Sequence, residues 1–200
     1  MLLVGACSAT QPRKTNTTLA TRKPTNALIV YLSRTNNTRA IAEIIQKQVG
    51  GTLVALELEK PYPANYRATV EQVVRENESG FLPPLKTKIA NIQQYDVVFV
   101  GFPTWGMQLP PPVKSFLTQY NRNGGPLKGK TVIPFNSNGG YGVGSCFQTV
   151  AKLYPNSNVL DGFTIRGGSE RDGQLLVING NKANEVAVRV RQWLQKIKLI

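Results

Sequence analysis

The chain has 200 residues, 41% hydrophobic and 18% charged, enough for one core that buries roughly 70% of its unfolded surface and unlike a disordered or membrane-spanning composition. It has no histidine and only two cysteines, Cys7 and Cys146, which excludes histidine-based catalytic triads, His-ligated zinc and four-thiolate clusters. The 24 Lys and Arg against 11 Asp and Glu give a net charge of +13, which suits nucleic acid, an anionic membrane surface or an acidic partner or ligand; outside Arg13-Lys14 and Arg22-Lys23 the cations are scattered, so no nucleic-acid face is expected.

Residues 1–7, MLLVGAC, end in small residues before a cysteine and resemble the lipobox of bacterial lipoprotein precursors, although they lack a basic stretch and the apolar segment is short. Residues 8–26 are rich in Thr, Ser, Asn and basic side chains with no apolar period, which predicts a disordered linker. A lipid on Cys7 and the linker cations would together form a membrane tether, facing outside the cytoplasmic membrane; without the lipid the protein is expected in the cytoplasm. Residues 1–26 are thus read as lipobox-like segment and linker, and 27–200 as one domain.

The run 27–32, ALIVYL, is continuously apolar, as in a strand buried on both faces of a parallel sheet. After the polar loop 33–38, Ile41, Ile44, Ile45 and Val49 fall at helical spacing over 39–49, and Gly50-Gly51 stops the helix. A second strand is expected over 52–58 and a helix over 64–77. The third strand is 95–102, followed by the loop 103–110 and a helix opening at Pro111 or Pro112, where proline suits the first turn. A fourth strand covers 131–135, a glycine-rich loop 136–144, a helix 146–153, strand material 158–165 and a closing helix 183–197, with Val186, Ala187, Val190, Trp193, Leu194 and Ile197 on one face. Strands alternating with helices imply an α/β fold with an open parallel sheet and helices on both faces, whose ligands bind beyond the carboxyl ends of the strands.

Three loops leave those ends. The first, Ser33-Arg34-Thr35-Asn36-Asn37-Thr38, gathers hydroxyl and amide groups at a helix start, which suits a phosphate dianion, and reads equally well as an ordinary turn capped by Asn37 or Thr38. It carries neither GxxxxGK[ST] nor GxGxxG. In the second, Trp105 sits among Pro and Gly after a central strand, either as a stacking plate for a planar ring or as packing against a helix. The third is rich in glycine, and Cys146 opens the helix beside it. A helix start lowers a thiol pKa, but a small apolar residue also simply packs, and Cys146 is given no redox role.

SxTxNT after the first strand, GxPxW after the third and a glycine-rich loop after the fourth resemble the flavodoxin family over residues 27–197. LDGFTIRGG resembles the end of flavodoxin-like domains in bacterial long-chain members. The resemblance implies a five-stranded sheet of order 2-1-3-4-5 and noncovalent FMN. Ser33, Thr35, Asn37 and Thr38 would then hold the phosphate, with backbone N–H groups of Arg34 and Asn36. Pro103, Thr104, Trp105 and Gly106 would line the isoalloxazine, Trp105 stacking on it. Asn138, Gly139, Gly140 and Tyr141 would approach the pyrimidine edge through their backbone, with Tyr141 as a candidate second stacking ring. A carbonyl in loop 104–107 would accept the proton on flavin N5, with Gly106 as the hinge.

Two departures stand out: Asn36 occupies a place where many flavodoxins have Gly, a change that Asn tolerates in left-handed backbone, and the chain is basic where flavodoxins are usually acidic. The implied function is an electron-transfer protein cycling through flavin semiquinone and hydroquinone, serving redox partner proteins of acidic surface. The alternatives are an FMN-dependent NAD(P)H quinone or azo reductase and a cofactor-free anion-binding or scaffold module.

Overall fold

The computed structural model describes residues 26–121, 125–155 and 157–200. The lipobox-like segment, Cys7 and the linker up to residue 25 lie outside the described residues. From Ala27 the chain runs β1 (Ala27–Tyr31), α1 (Asn37–Val49), β2 (Thr52–Ala55), α2 (Tyr66–Ser79), β3 (Val97–Pro103), α3 (Pro111–Asn121), β4 (Thr131–Asn138), α4 (Cys146–Leu153), β5 (Asn158–Val159), β6 (Phe163–Arg166) and α5 (Gly180–Lys196). The sheet is parallel throughout, in the order β2-β1-β3-β4, with β5 and β6 both against β4. This is the expected 2-1-3-4-5 arrangement.

The apolar runs alternate between two cores. Leu28 and Val30 of β1, with Val98, Val100 and Phe102 of β3, meet α3 and α4 through Val113, Phe116, Leu117, Val150 and Tyr154. Ile29 and Tyr31, with Phe99 and Phe135, meet α1 and α5 through Ile41, Ile45, Val186, Val190 and Trp193. A strand covered on both faces needs no polar alternation, which is why β1 and β3 read as unbroken hydrophobic runs.

The fifth strand departs from expectation. Residues 158–165 form not one strand but two short ones separated by Leu160-Asp161-Gly162. The reason lies across the ladder, at Pro134 in the middle of β4. The carbonyls of Lys130, Val132 and Asn138 accept hydrogen bonds from Asn158, Leu160 and Gly167, whereas those of the odd-numbered residues such as Ser137 point to the β3 side. Pro134 therefore turns its missing N–H toward the fifth strand, which cannot pair there and breaks.

Other boundaries shift less. Strand β4 continues through Asn136, Ser137 and Asn138, so the first part of the supposed glycine-rich loop is strand paired on both sides. Helix α1 begins two residues earlier than its apolar period indicated, α5 begins at Gly180, and β2 ends at Ala55 as the chain leaves for an isolated bridge between Leu58 and Leu85. The chain passes from β1 to β2 on one side and then returns to β3 on the other, so the crevice between the carboxyl ends of β1 and β3 is the topological switch point.

Candidate functional site

At that switch point the loops after β1, β3 and β4 enclose one pocket of about 330 Å³, of a size with ordinary ligand sites. Arg34, Thr35, Asn37, Thr38, Pro103, Thr104, Trp105, Gly106, Asn138, Gly139 and Tyr141 line it. Ser33, Asn36 and Gly140 do not.

In the first loop, Asn36 holds φ 63°, so asparagine supplies the left-handed turn without glycine. The chain thereby swings into α1 with the backbone N–H groups of Arg34, Thr35, Asn36, Asn37 and Thr38 unbonded among the described residues. Five such donors at a helix start form a strong anion cradle.

The side chains of Ser33, Asn37 and Thr38 are engaged within the fold, and the Thr35 hydroxyl accepts from Asn37. The Ser33 hydroxyl accepts the Arg39 N–H at 3.2 Å and the Thr38 hydroxyl pairs with Ser137 at 2.8 Å. The Asn37 side chain, 2% exposed, donates to Thr35 Oγ1 at 2.9 Å and the Leu175 carbonyl at 2.6 Å, and accepts the N–H groups of Val177 and Ile178 at 2.9 and 3.1 Å. Asn37 is thus a staple for a distant segment, and the cradle is a backbone one.

The second loop is a tight hairpin. Trp105 and Gln108 exchange backbone hydrogen bonds of 3.3 and 3.0 Å across Gly106 and Met107, whose φ values of 56° and 60° are those of a type I′ turn. The Met107 carbonyl accepts the N–H of Ser145 at 3.0 Å and its hydroxyl at 3.3 Å, which ties this loop to the one after β4. The carbonyls of Trp105, Met107 and Gln108 are all bonded, so within the turn only that of Gly106 has no partner among the described residues. Trp105 is half-buried, with the Tyr62 ring edge-on at 5.4 Å. Tyr62 is fixed in turn by a short hydrogen bond to the buried Glu76 of α2, and burial raises its hydroxyl pKa. Trp105 therefore packs against Tyr62 and lines the pocket as well, so the two expectations for it are compatible.

The third loop is organised by Asn138, whose side-chain Oδ1 accepts the N–H groups of Gly140 at 3.0 Å and Gly142 at 3.3 Å. Gly140 is thus committed to the loop itself. Beneath it, Asn136 donates to the Phe102 carbonyl and to Thr104 Oγ1, both at 3.0 Å, and Thr104 donates to the Gly142 carbonyl. This buried polar network locks the loops after β3 and β4 together. Tyr141 stands 69% exposed at the rim, where Arg171 donates to its hydroxyl at 2.9 Å.

Cys146 is completely buried, and that burial, more than the opposing hydrogen bond with Thr104, pushes its thiol up to about 11. Burial outweighs whatever lowering the helix start supplies.

The sequence reading missed a fourth wall. Gly168, Ser169, Glu170 and Arg171, between β6 and α5, also line the pocket, with Tyr66, Met107, Ser137 and Gly142. Arg34 forms an ion pair with Glu170 at 2.7 Å and donates to the Pro63 and Ala64 carbonyls at 3.0 and 2.8 Å. Its guanidinium thereby closes the pocket's side instead of facing a ligand. The paired glycines of the IRGG segment were the available signal: Gly167 packs against Asn37, where only a small residue fits.

A doubly wound parallel sheet with a backbone anion cradle, an aromatic plate and a glycine-rich edge at its switch point defines a class that binds a phosphate-bearing planar ligand. The chain belongs to the flavodoxin family, whose model matches residues 26–179. Among solved structures, a protein of Bacteroides eggerthii described as a candidate flavoprotein is 29% identical, with a TM-score of 0.66 over 86% of this chain and 97% of that one. One from Bacteroides uniformis, described likewise, is 26% identical with a TM-score of 0.63 over 75% and 96%. A flavoprotein from Lactobacillus acidophilus, solved in complex with FMN, shares the fold at 21% identity and a TM-score of 0.61 over 75% and 98%. No curated protein matches the chain.

Proposed function

We propose that this chain binds FMN noncovalently at the switch-point pocket and carries electrons between redox proteins. The observation that bears most weight is the row of five unbonded N–H groups at the start of α1, set in one pocket with Trp105. The N–H row takes the phosphate, Trp105 the isoalloxazine face, and the N–H groups of Gly139 and Tyr141, free among the described residues, the pyrimidine edge. The Gly106 carbonyl is the acceptor left open for flavin N5. When bound, FMN supplies the redox chemistry, and the protein contributes position, stacking and field. Membership of the flavodoxin family and the FMN complex of the Lactobacillus relative support the reading.

The excess of cations favours partners with acidic surfaces, by charge complementarity. A lipid on Cys7 would hold the carrier at a membrane, and intact-mass measurement of protein purified from its native membrane checks it. The absorbance spectrum of the purified protein tests the cofactor: flavin bands are expected, and a colourless protein that fails to quench FMN fluorescence on titration would sink the proposal. Steady-state NAD(P)H oxidation with a quinone acceptor separates carrier from reductase, and a carrier shows none above free FMN.

A further inference from the structure

A second pocket, of about 230 Å³, shares Arg34, Tyr66, Thr104, Trp105, Gly106 and Glu170 with the first and adds residues of helix α2. Its wall is helix α2. Tyr66, Val70 and Val74 recur there every fourth residue, which places them on one stripe of the helix. Val70 and Val74 line the pocket yet remain 41% and 46% exposed, with the buried Val73 beside them. A stripe of this kind on a helix otherwise rich in Glu, Arg and Asn is unneeded for solubility or for the core. Trp105 completes the apolar enclosure, and Asn77 and Gln108 put amide groups at its margin.

The electrostatics select the occupant. Arg34 is the only cation lining the pocket among the described residues, and its guanidinium is spent on Glu170 and two carbonyls. The other charged wall residues are Glu78 and Glu170. The Lys114 ammonium, not itself a lining group, donates to Asn77 Oδ1 at 2.8 Å, and with two carboxylates against one paired guanidinium in its wall the concavity disfavours a phosphate-bearing or carboxylate ligand. The volume lies below the ~300–1,000 Å³ of drug-sized sites, which limits the guest to one or two fused rings.

We infer that the groove between α2 and Trp105 is a binding site for a small, neutral, planar aromatic molecule, the class to which quinones belong. Its apolar body would lie against Val70, Val74 and Trp105, with carbonyl or hydroxyl ends at Asn77 and Gln108. Its apolar walls come from α2 and the Trp105 hairpin, so the site stands without FMN; with FMN in the first pocket, the guest would lie beside the cofactor site, since the two pockets share Trp105.

The test is titration of menadione, a neutral bicyclic quinone, into the apoprotein and the FMN-loaded protein, followed by the methyl NMR signals of Val70, Val73 and Val74. Saturable shifts of those methyls in both forms are expected. Val70→Asp and Val74→Asp place a charge on exposed positions away from the first pocket, so the urea midpoint and FMN affinity hold while menadione affinity falls about tenfold or more. Displacement of menadione from the apoprotein by NADH would overturn the neutral assignment. Absence of saturable shifts, or variants that bind menadione as the parent does, would overturn the site. Failure of FMN to bind leaves the apoprotein titration valid, so the two proposals fail separately.

Discussion

Asn36 carries the left-handed turn on which the anion cradle depends. Its side chain makes no capping hydrogen bond, so Asn36→Gly should leave FMN affinity equal or slightly improved, whereas Asn36→Ala should cost about 1 kcal/mol of stability by placing Cβ in left-handed backbone. Fluorescence titration and urea denaturation measure both, and a marked loss of affinity in Asn36→Gly would show the side chain itself at the phosphate. Asn37 behaves oppositely. Asn37→Ala strands two backbone donors and a carbonyl at residues 175–178, and a destabilisation of about 2–4 kcal/mol is expected, with faster amide exchange confined to that segment. Cys146 has its thiol raised by burial to about 11. The fold therefore favours the neutral form, and its contribution is complete below the ordinary value of 9.0 and is lost as pH rises through 11. The urea midpoint should fall across that window less steeply in Cys146→Ala. Iodoacetamide should leave Cys146 unmodified in folded protein at pH 8, as read by peptide mass spectrometry; rapid alkylation would contradict the assignment.

At the scale of elements, the site is made by loops that hold each other. The Trp105 hairpin hangs from Ser145 through the Met107 carbonyl, and Gly144 lets the two chains approach, since a Cβ there would fall 2.2 Å from that carbonyl oxygen. Gly144→Ala should therefore push the hairpin away from the β4 loop and weaken FMN binding by roughly 1–3 kcal/mol, measured by titration, with a smaller effect on the urea midpoint. Equal affinity would mean that the hairpin holds its place without Ser145. The break between β5 and β6 belongs to the same scale: Pro134, with no N–H to offer on that side, interrupts the pairing between them, and β6 then leads into the segment that carries Glu170 and Arg171 to the pocket.

At the scale of the whole molecule, the chain carries a net charge of +13, and the cofactor proposed for its pocket is an anion that becomes more negative on reduction. Cations favour that reduced form, and about 1 kcal/mol of such interaction corresponds to roughly 40 mV for one electron. The bound flavin should show a less negative potential than in an acidic carrier. The potential should drop as salt rises from about 0.05 to 0.5 M, because screening acts most on exposed charges. Spectroelectrochemical titration at the two ionic strengths checks this, and a potential independent of salt would remove the field of the whole protein as its cause.

Much of this was legible in the residues. The unbroken apolar runs of β1 and β3 announced a parallel sheet, because a strand covered on both faces has no solvent side to mark with polar residues. SRTNNT and the Trp105 loop marked the switch-point ends, because they follow the carboxyl ends of strands in a parallel sheet, where ligands bind, although SRTNNT alone reads equally well as a capped turn. Even the split fifth strand was written in Pro134, though only the register shows which neighbour its missing N–H faces. What tertiary structure alone decided was which atoms of the loops are free. Asn37, Ser33 and Thr38 have the chemistry of phosphate ligands, but contacts from 39, 137 and 175–178, far apart in sequence, take up their side chains and leave the backbone to do the binding. The fourth wall from Gly168 to Arg171 had only the paired glycines of IRGG as a local sign, because the ion pair that ties it to the site reaches Arg34 across 136 residues of chain.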